Sequence, residues 1–297
     1  MAKTKGVIVM VGDSLSTGFN SVADAGDTPL FGELGDPNVL IWDRWLDSSV
    51  TEKLGLSSTN APFGWSRIPY STSNYTNNGP IPVYFLANAL KRALDLEELR
   101  VIMMGVPSTD VVQTPLNGNY GTTWYPGLDP NGLFERLSTY YIDEALASGA
   151  ITTDHKYLGT FASLGANMTN SDPYTVDQTD DLQGNLNALF DAIEGAMLGV
   201  SDTSRRVVTR IPLSVRDVVE TVELDRLRTV YRELNAWLSE SSGGTTYRAT
   251  ALLDDIPFLG ANDPHFSAAN TLIMGQRLFK AWQSAGQREV LPPVALS

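Results

Sequence analysis

The sequence predicts an α/β protein, a three-layer αβα sandwich built on a doubly wound, mainly parallel sheet of five strands. Short apolar runs rich in β-branched residues recur along the chain without polar alternation, which is typical of strands buried on both faces. Amphipathic helical patterns lie between these runs. Strands that alternate with helices form parallel βαβ units, and such units place helices on both faces of one sheet.

The five predicted strands occur at intervals along the whole chain. They are residues 6–11, 100–104, 157–164, 206–213 and 247–253. Apolar side chains at helical spacing predict helices at residues 83–94, 182–197, 224–238 and 272–282. The alternation extends over residues 1–297 without an internal repeat or a low-complexity tract, so we expect a single domain.

Two long segments fit neither the strand nor the helix period. Residues 20–78 and 106–130 are rich in Asp, Pro, Gly, Ser and Asn. They follow the first and second predicted strands, and ligands of open α/β sheets bind beyond the carboxyl ends of the strands. We therefore expect long loop insertions that cover the site and shape its specificity. These segments contain Trp42, Trp45, Trp65 and Trp124, and Tyr125 follows the last of them. Each tryptophan either packs onto the body of the protein or contacts a substrate, and the sequence favours neither.

Composition narrows the choice of partners. The chain has 297 residues, of which 42% are hydrophobic and 19% charged, and this apolar content is sufficient for a sizeable core. Its net charge of −13 argues against nucleic acid, whose phosphates need Lys and Arg, and against an anionic membrane surface. The charge says little about a neutral substrate such as an esterified sugar. No pattern indicates an oligomeric state.

The sequence predicts neither a cofactor nor a metal site. It has no cysteine, which excludes disulfides, thiolate metal sites and a cysteine nucleophile. Two widely separated histidines leave only carboxylates as metal ligands. The pairs Asp180-Asp181 and Asp254-Asp255 are placed at a predicted helix start and a predicted strand end, where acidic residues are common. No Gly-rich phosphate loop is present.

We expect neither a membrane span nor a signal peptide in this sequence. No apolar run approaches the roughly 18–20 residues that a membrane span needs. The apolar run after Lys3 and Lys5 is too short for a signal peptide, and it leads directly into Gly-Asp-Ser at residues 12–14. The compartment stays open, with an extracellular or surface-associated role among the options.

Ser14 is the candidate nucleophile. It follows the first predicted strand directly, at the end where an open sheet presents its site, and Gly12 permits a tight exit from the strand. A serine at this position can attack an ester carbonyl when a base removes its proton. A turn or helix-capping serine is the structural alternative. We expect the neighbouring Asp13 to hold the turn by hydrogen bonds.

His265 is the candidate general base. Histidine is the usual base for serine near neutral pH, and the chain contains only His155 and His265. His265 lies two residues after Asp263, just before the last predicted helix. His155 lies in the polar stretch of residues 152–156, and we predict that it is a solvated surface residue.

Together these residues resemble the signature of the GDSL/SGNH hydrolase family. Residues 12–15 read Gly-Asp-Ser-Leu and are similar to the first motif of that family. Gly105, at the end of the second predicted strand, is similar to the glycine of its second motif. Asn167, in the Gly-Ala-Asn of residues 165–167, is similar to the asparagine of its third motif, and His265 to the histidine of its last. The order of the motifs agrees across nearly the whole chain.

The closest similarity is to the branch that contains sialate O-acetylesterases and some acetyl-xylan esterases. Several segments resemble that branch: residues 38–43, 79–80, 101–105, 133–136 with Gly149, 265–267 and 275–278. Residues 164–166 depart from it, since they read Leu-Gly-Ala where the branch commonly has Gln-Gly-Glu. The resemblance implies the flavodoxin-like fold of SGNH hydrolases. It also implies roles: Ser14 attacks, His265 takes its proton, and the oxyanion binds the backbone N–H groups of Ser14 and Gly105 and the side chain of Asn167.

The acid that orients the histidine departs from the family pattern. The family has an aspartate three residues before the histidine, and this chain has Asn262 there, with Asp263 one residue closer. Asp263 is the candidate acid. Asn262 is the alternative, because its side-chain oxygen can orient the imidazole without supplying charge. Asp254 or Asp255, or a Ser–His dyad that uses a backbone carbonyl, are further options.

The sequence therefore predicts a serine esterase that acts through an acyl-enzyme, and the resemblance implies that it removes small acyl groups, foremost O-acetyl, from a carbohydrate. One alternative is an esterase for short-chain lipids or aryl esters. The polar residues 16–18 after the nucleophile argue against a long acyl chain, which needs an apolar pocket. The other alternative is a non-catalytic glycan-binding or structural module, which the departure at Asn262 keeps open.

Overall fold

The structure is a computed structural model that describes the following parts of the chain. They are residues 4–18, 35–43, 64–70, 80–106, 124–127, 132–164, 182–197, 204–209, 246–251, 253, 255–257 and 265–286. Several sequence predictions fall outside these residues: the helix at 224–238, Trp45, Asn167, Asp180, Asp181, Asp254, Asn262 and Asp263.

Within these residues seven strands form one sheet in the order β3-β2-β4-β1-β5-β6-β7. The strands are β1 (Lys5–Gly12), β2 (Val39–Asp43), β3 (Gly64–Arg67), β4 (Glu98–Gly105), β5 (His155–Ser163), β6 (Ser204–Thr209) and β7 (Thr246–Ala251). Neighbouring strands run parallel except β2 and β3, which are antiparallel. The result is a mainly parallel sheet with one antiparallel strand at its edge.

The five strands predicted from the sequence are the adjacent strands β4, β1, β5, β6 and β7. Numbered among themselves in chain order, they stand in the order 2-1-3-4-5, which is the flavodoxin-like arrangement. The prediction of a doubly wound, mainly parallel five-stranded sheet is therefore confirmed for this central part. The fourth predicted strand, at 206–213, is displaced by a few residues from the observed Ser204–Thr209.

Strands β2 and β3 correct the prediction that residues 20–78 are irregular throughout. They extend the central sheet beyond β4, because β2 pairs with β4 in parallel. The four-residue β3 reads Gly-Trp-Ser-Arg and has no apolar run of its own. Its strand conformation follows from pairing with β2, a tertiary effect that local sequence patterns do not report.

The two tryptophans of this edge pair fasten it to the helical layer. Trp42 lies opposite Trp65 with ring centroids 5.2 Å apart. Its indole Nε1–H donates to the carbonyl of Tyr140 at 3.0 Å, and the Nε1–H of Trp65 donates to Ser148 Oγ at 3.1 Å. For these two residues the structure favours packing over contact with a substrate.

Helices cover both faces of the sheet. They are α1 (Pro82–Ala93), α2 (Leu133–Ser138), a π-helical turn (Thr139–Asp143) continuous with α3 (Glu144–Ala147), α4 (Leu182–Met197) and α5 (Ala268–Gly286). Alternate side chains of β1 enter two separate cores: Val9 packs with α2, α3 and α4, and Met10 packs with α1 and α5. This alternation gives the three layers that the sequence predicts.

Helices α1 and α5 approach closely on their shared face of the sheet. Pro82 occupies the first turn of α1, where its missing N–H and fixed φ are tolerated. A Cβ atom built on Gly275 would lie 2.5 Å from the carbonyl oxygen of Pro82. Only glycine fits this crossing, which brings α5 and the residues before it against the sheet.

A β-bulge in β5 is sealed by helix α5. The register with β1 passes from Val7 opposite Tyr157 to Ile8 opposite Gly159, so Leu158 is the extra residue. The indole Nε1–H of Trp282 donates to the carbonyl of Leu158 at 2.6 Å. Bulges leave backbone groups without a ladder partner, and here a side chain of the covering helix supplies one.

Replacing Trp282 by phenylalanine should lower the free energy of unfolding by about 0.5–1.5 kcal/mol, because the partly buried Leu158 carbonyl loses its donor. Urea unfolding followed by circular dichroism measures the change. Phe279→Leu on the same helix is the control, since it removes aromatic area without removing a hydrogen bond. Equal stability of Trp282→Phe and the wild type would contradict this function of the indole.

The prediction that His155 is a solvated surface residue is wrong. Its side chain is only 1% exposed, at the amino-terminal end of β5. The backbone N–H of Thr152 donates to Nδ1 at 3.1 Å, so Nε2 carries the proton and donates to Glu98 Oε1 at 3.0 Å. The polar stretch around it forms a turn whose N–H groups need an acceptor, and the imidazole supplies it.

Glu98 is the centre of a small charged network at this edge of the sheet. It accepts hydrogen bonds from His155 and from Arg100 Nε, the latter at 2.7 Å. The Arg100 guanidinium also lies 4.5 Å from the ring centroid of Trp65. Burial acts to raise the pKa of Glu98, but the hydrogen bonds from Arg100 and His155 and the positive charge of Arg100 outweigh it and hold the pKa below its ordinary value of 4.5.

The lowered pKa of Glu98 makes part of the stability depend on pH. Its contribution is complete above the unfolded pKa near 4.5 and is lost as the pH falls through the lower folded value. Glu98→Gln should therefore flatten the fall in unfolding free energy between about pH 5 and pH 3. Urea unfolding at several pH values measures this, with the exposed Glu97→Gln as control. Parallel pH curves for Glu98→Gln and the wild type would refute it.

Candidate active site

The candidate nucleophile lies at the point where the strand order of the central sheet reverses. β1 has β4 on one side and β5 on the other, and Gly12, its last residue, pairs with Gly105 and with Ser163. Crevices at such reversal points, beyond the carboxyl ends of the strands, are where open α/β sheets bind ligands. Ser14 follows Gly12 by two residues and therefore lies at this point.

Ser14 is part of a turn that side chains hold in place. Asp13 Oδ1 accepts the backbone N–H of Leu15 at 2.9 Å, as expected for Asp13. Ser16 Oγ donates to the carbonyl of Asp13 at 2.6 Å, and Thr17 Oγ1 donates to the carbonyl of Ser14 at 2.9 Å. These bonds satisfy backbone groups of the turn, and none of them uses the Ser14 hydroxyl.

The turn is also tied to the sheet on both sides. The N–H of Asp13 donates to the carbonyl of Ser163 on β5 at 3.0 Å, and the N–H of Val106 after β4 donates to the carbonyl of Gly12 at 3.0 Å. Gly18 ends the turn with φ of 68°, a conformation that favours glycine. Ser14 is thus held by three neighbouring strands rather than by a mobile loop.

Exposure singles out Ser14 within this turn. Its relative exposure is 8%, whereas Asp13, Ser16 and Thr17 are completely buried. Ser16 and Thr17 therefore support the backbone and do not line an acyl pocket. The polarity of Ser16 and Thr17 therefore does not argue against a substrate with a long acyl chain. Their supporting role was not found from the sequence, although two hydroxyl residues after a strand-end serine can bond back to the preceding carbonyls.

Gly12 and Gly105 are needed because the turn lies directly against both strand ends. A Cβ on Gly12 would lie 2.6 Å from Ser16 Cβ and 2.8 Å from the carbonyl oxygen of Ser163. A Cβ on Gly105 would lie 2.7 Å from Thr17 Cγ2 and 2.9 Å from Ser16 Oγ. Gly105 is therefore more than the end of a strand, since its backbone packs on the turn that carries Ser14.

His265 precedes α5 by three residues, and α5 packs with α1 on one face of the sheet. It follows the β7 region and precedes α5, so it enters from the carboxyl edge of the parallel sheet. Phe266 is 2% exposed and belongs to the same apolar core as Leu15, the residue after Ser14. The Oγ of Ser267 accepts the backbone N–H of Asn270 at 3.2 Å and caps the helix.

Of the candidate acids, the structure describes Asp255. Arg277 donates to both of its carboxylate oxygens, with Nη2 to Oδ2 at 2.8 Å, and the side chain is largely exposed. The hydrogen bonds of Arg277 lower the pKa of Asp255 to about 2. A two-pronged pair of this kind holds the carboxylate at the surface, which disfavours Asp255 as the partner of His265.

Metal-binding clusters and membrane-spanning helices are both missing from the residues that the structure describes. In those parts of the chain, His, Asp and Glu side chains form no group of three or more with the spacing of a metal site. None of the helices described above combines the length and the apolar character needed to cross a bilayer.

Sequence comparison leaves the family open, and structural comparison shows the fold. No protein-family model matches the chain, and no curated protein matches it by sequence. A protein from Arabidopsis thaliana aligns with a TM-score of 0.59 and 13% identity, covering 95% of this chain and 99% of its own. NanS aligns with a TM-score of 0.60 and 11% identity, covering 97% and 100%.

A third solved structure is a carbohydrate acetylesterase from Xanthomonas citri. It aligns with a TM-score of 0.57 and 15% identity, over 96% of this chain and 57% of its own length. At identities this low the likeness concerns the fold, and function has to be argued from the site.

Proposed function

We propose that this protein is a serine esterase that removes small acyl groups, foremost acetyl, from a carbohydrate through an acyl-enzyme. The observation that carries the proposal is the supported turn of residues 13–18, which presents Ser14 at the reversal point of the sheet. Such a turn fixes a nucleophile in position before the substrate binds, which lowers the entropic cost of attack.

The reaction follows from the residues around that turn. Ser14 Oγ attacks the ester carbonyl while His265 accepts its proton, and His265 then returns the proton to the departing alcohol. Water, deprotonated by His265, attacks the acetyl-enzyme and releases acetate and free Ser14. The backbone N–H groups of Ser14 and Gly105 and the side chain of Asn167 are the proposed donors to the oxyanion, and Asp263 is the proposed acid behind His265.

The carbohydrate and acetyl parts of the proposal have separate support. The motif resemblance is to the branch of sialate O-acetylesterases and acetyl-xylan esterases. The structurally similar protein from Xanthomonas citri is a carbohydrate acetylesterase. A net charge of −13 is compatible with a neutral sugar ester and unfavourable for polyanions.

Labelling with a serine-reactive fluorophosphonate tests the nucleophile directly. We expect one adduct per chain, located by peptide mass spectrometry on Ser14 and absent from Ser14→Ala. Ser284→Ala, which removes an exposed hydroxyl near the end of α5, should label like the wild type. An adduct on another residue, or none on the folded protein, would contradict the proposed role of Ser14.

Acetate release then tests the substrate class. We expect turnover of acetylated xylo-oligosaccharides and of p-nitrophenyl acetate, and much slower turnover of p-nitrophenyl octanoate. Faster hydrolysis of the octanoyl ester would identify a lipid or aryl esterase instead. Binding of the oligosaccharides without turnover of any ester would favour a non-catalytic glycan-binding module.

A further inference from the structure

A short turn at the carboxyl edge of the sheet carries an aromatic side chain that makes no hydrogen bond or ring contact with the described residues. The turn comprises residues 124–127 and lies between the end of β4 and the start of α2. In a parallel sheet the helix after a strand begins at the carboxyl edge, so this turn and the Ser14 turn share that edge.

Two anchors hold the turn at its ends. Trp124 is completely buried and belongs to the same core as Val106, whose N–H is bonded to the carbonyl of Gly12. At the other end, the backbone N–H of Gly127 donates to Glu135 Oε1 in the first turn of α2. A carboxylate acceptor makes this bond stronger than one between neutral groups. Trp124 and Val106 thus belong to one core, and Val106 is bonded to Gly12, two residues before Ser14.

Tyr125 lies between these anchors and is half-buried. Within the described part of the chain its hydroxyl makes no hydrogen bond and its ring pairs with no other aromatic ring. Tyrosine combines a rigid apolar ring with a polar tip, and such a side chain suits a surface that meets a ligand with both apolar and hydroxyl groups. The ring is thus carried by a backbone that is anchored on both sides.

We propose that Tyr125 is a specificity-determining residue that contacts the sugar ring carrying the ester. This inference rests on the proposed esterase function. A pyranose has an apolar face of C–H groups and a rim of hydroxyls, which match the ring and the hydroxyl of tyrosine. Glu135 is a positioning residue in this scheme, because it holds the turn and acts through Tyr125.

The test compares an ester with a sugar ring and an ester without one. Acetate release is measured from acetylated xylotriose and from ethyl acetate, for the wild type, Tyr125→Ala and Tyr125→Phe. We expect Tyr125→Ala to raise KM for the sugar ester about tenfold, as for the loss of one aromatic contact, and to lower the ratio of kcat/KM values for the two esters by the same factor. Tyr125→Phe should keep most of that ratio.

Two further variants separate contact from general packing. Glu135→Ala frees the turn and should lower the ratio as Tyr125→Ala does, whereas Glu135→Gln keeps an acceptor for the Gly127 N–H and should restore it. Tyr140→Ala is the control: it removes another half-buried tyrosine, from the π-helical turn after α2, that packs against the same core as Trp124. It should leave the ratio of kcat/KM values for the two esters unchanged. Circular dichroism and thermal unfolding verify that each variant is folded.

The possible outcomes distinguish the two proposals. A ratio that stays constant in Tyr125→Ala overturns the role of Tyr125 and leaves the esterase intact. Turnover of ethyl acetate without turnover of the sugar ester leads to the same conclusion. If the folded wild type hydrolyses neither ester, the proposed function fails and the role of Tyr125 fails with it.

Discussion

Replacing Ser14 by alanine should lower kcat for acetyl ester hydrolysis by about 10⁴–10⁶-fold, with KM changed only a few-fold. The structure predicts this separation, because the hydrogen bonds that support the turn use the carbonyl of Ser14 and not its hydroxyl. Removing the hydroxyl therefore leaves the turn and the binding surface in place. His265→Ala should lose a similar factor, and the double variant should be no worse, since the two residues act as a unit.

Stopped assays with p-nitrophenyl acetate measure these rates, with circular dichroism to verify folding. The matched control is Ser16→Ala, which removes a buried hydroxyl two residues away and the bond to the Asp13 carbonyl. It should reduce stability and activity by far less than Ser14→Ala reduces activity. If Ser14→Ala kept more than a tenth of the wild-type kcat, Ser14 would be ruled out as the nucleophile. A larger loss of kcat in Ser16→Ala than in Ser14→Ala would assign the catalytic role to Ser16 instead.

The part of the fold that local patterns encode was predictable. The five central strands carry their apolar character in their own residues, because parallel strands in a doubly wound sheet are buried on both faces. Strand β3 was not predictable in this way. It has four residues, little apolar character and a conformation that depends on β2, so its signal lies in a partner distant along the chain.

His155 shows the limit of judging burial from neighbouring residues in the sequence. Thr152, Asp154 and Lys156 flank it and suggest a solvated stretch, yet the side chain is buried against Glu98, 57 residues earlier. Buried imidazole requires partners for both nitrogens, and these come from a turn and from another strand. A contact between two strand starts leaves no trace in the local sequence.

The candidate site divides in the same way. The placement of Ser14 and Gly105 at the carboxyl edge of the sheet was predictable, because Ser14 follows one recognisable strand, Gly105 ends another, and parallel strands bring their carboxyl ends together. The catalytic roles of both residues stay predictions. The supporting roles of Ser16 and Thr17 depend on backbone geometry that appears only in the folded turn. Asn167, Asn262 and Asp263 lie outside the described residues, so their roles stay predictions.

Gly12→Ala should impair both folding and catalysis, and this is the second large effect that we expect. The added Cβ would lie 2.6 Å from Ser16 Cβ and 2.8 Å from the Ser163 carbonyl oxygen. Neither neighbour can withdraw freely, since Ser16 and the Ser163 carbonyl are both bonded to Asp13. Overpacking of a buried site costs about 1–3 kcal/mol. The displacement reaches Ser14 two residues later, and a shift of about 1 Å costs roughly 10²-fold in rate.

Two other glycine variants make this prediction specific. Gly105→Ala meets side-chain atoms, Thr17 Cγ2 at 2.7 Å and Ser16 Oγ at 2.9 Å, and should be less harmful because side chains adjust more easily than a strand backbone. Gly184→Ala lies in α4 with open space at the Cβ position and should raise stability by about 0.5–1 kcal/mol through helix propensity. Thermal unfolding and p-nitrophenyl acetate kinetics rank the three. If Gly12→Ala matched Gly184→Ala in both measurements, the turn would not be packed against β1 and β5, and the site built on that packing would have to be abandoned.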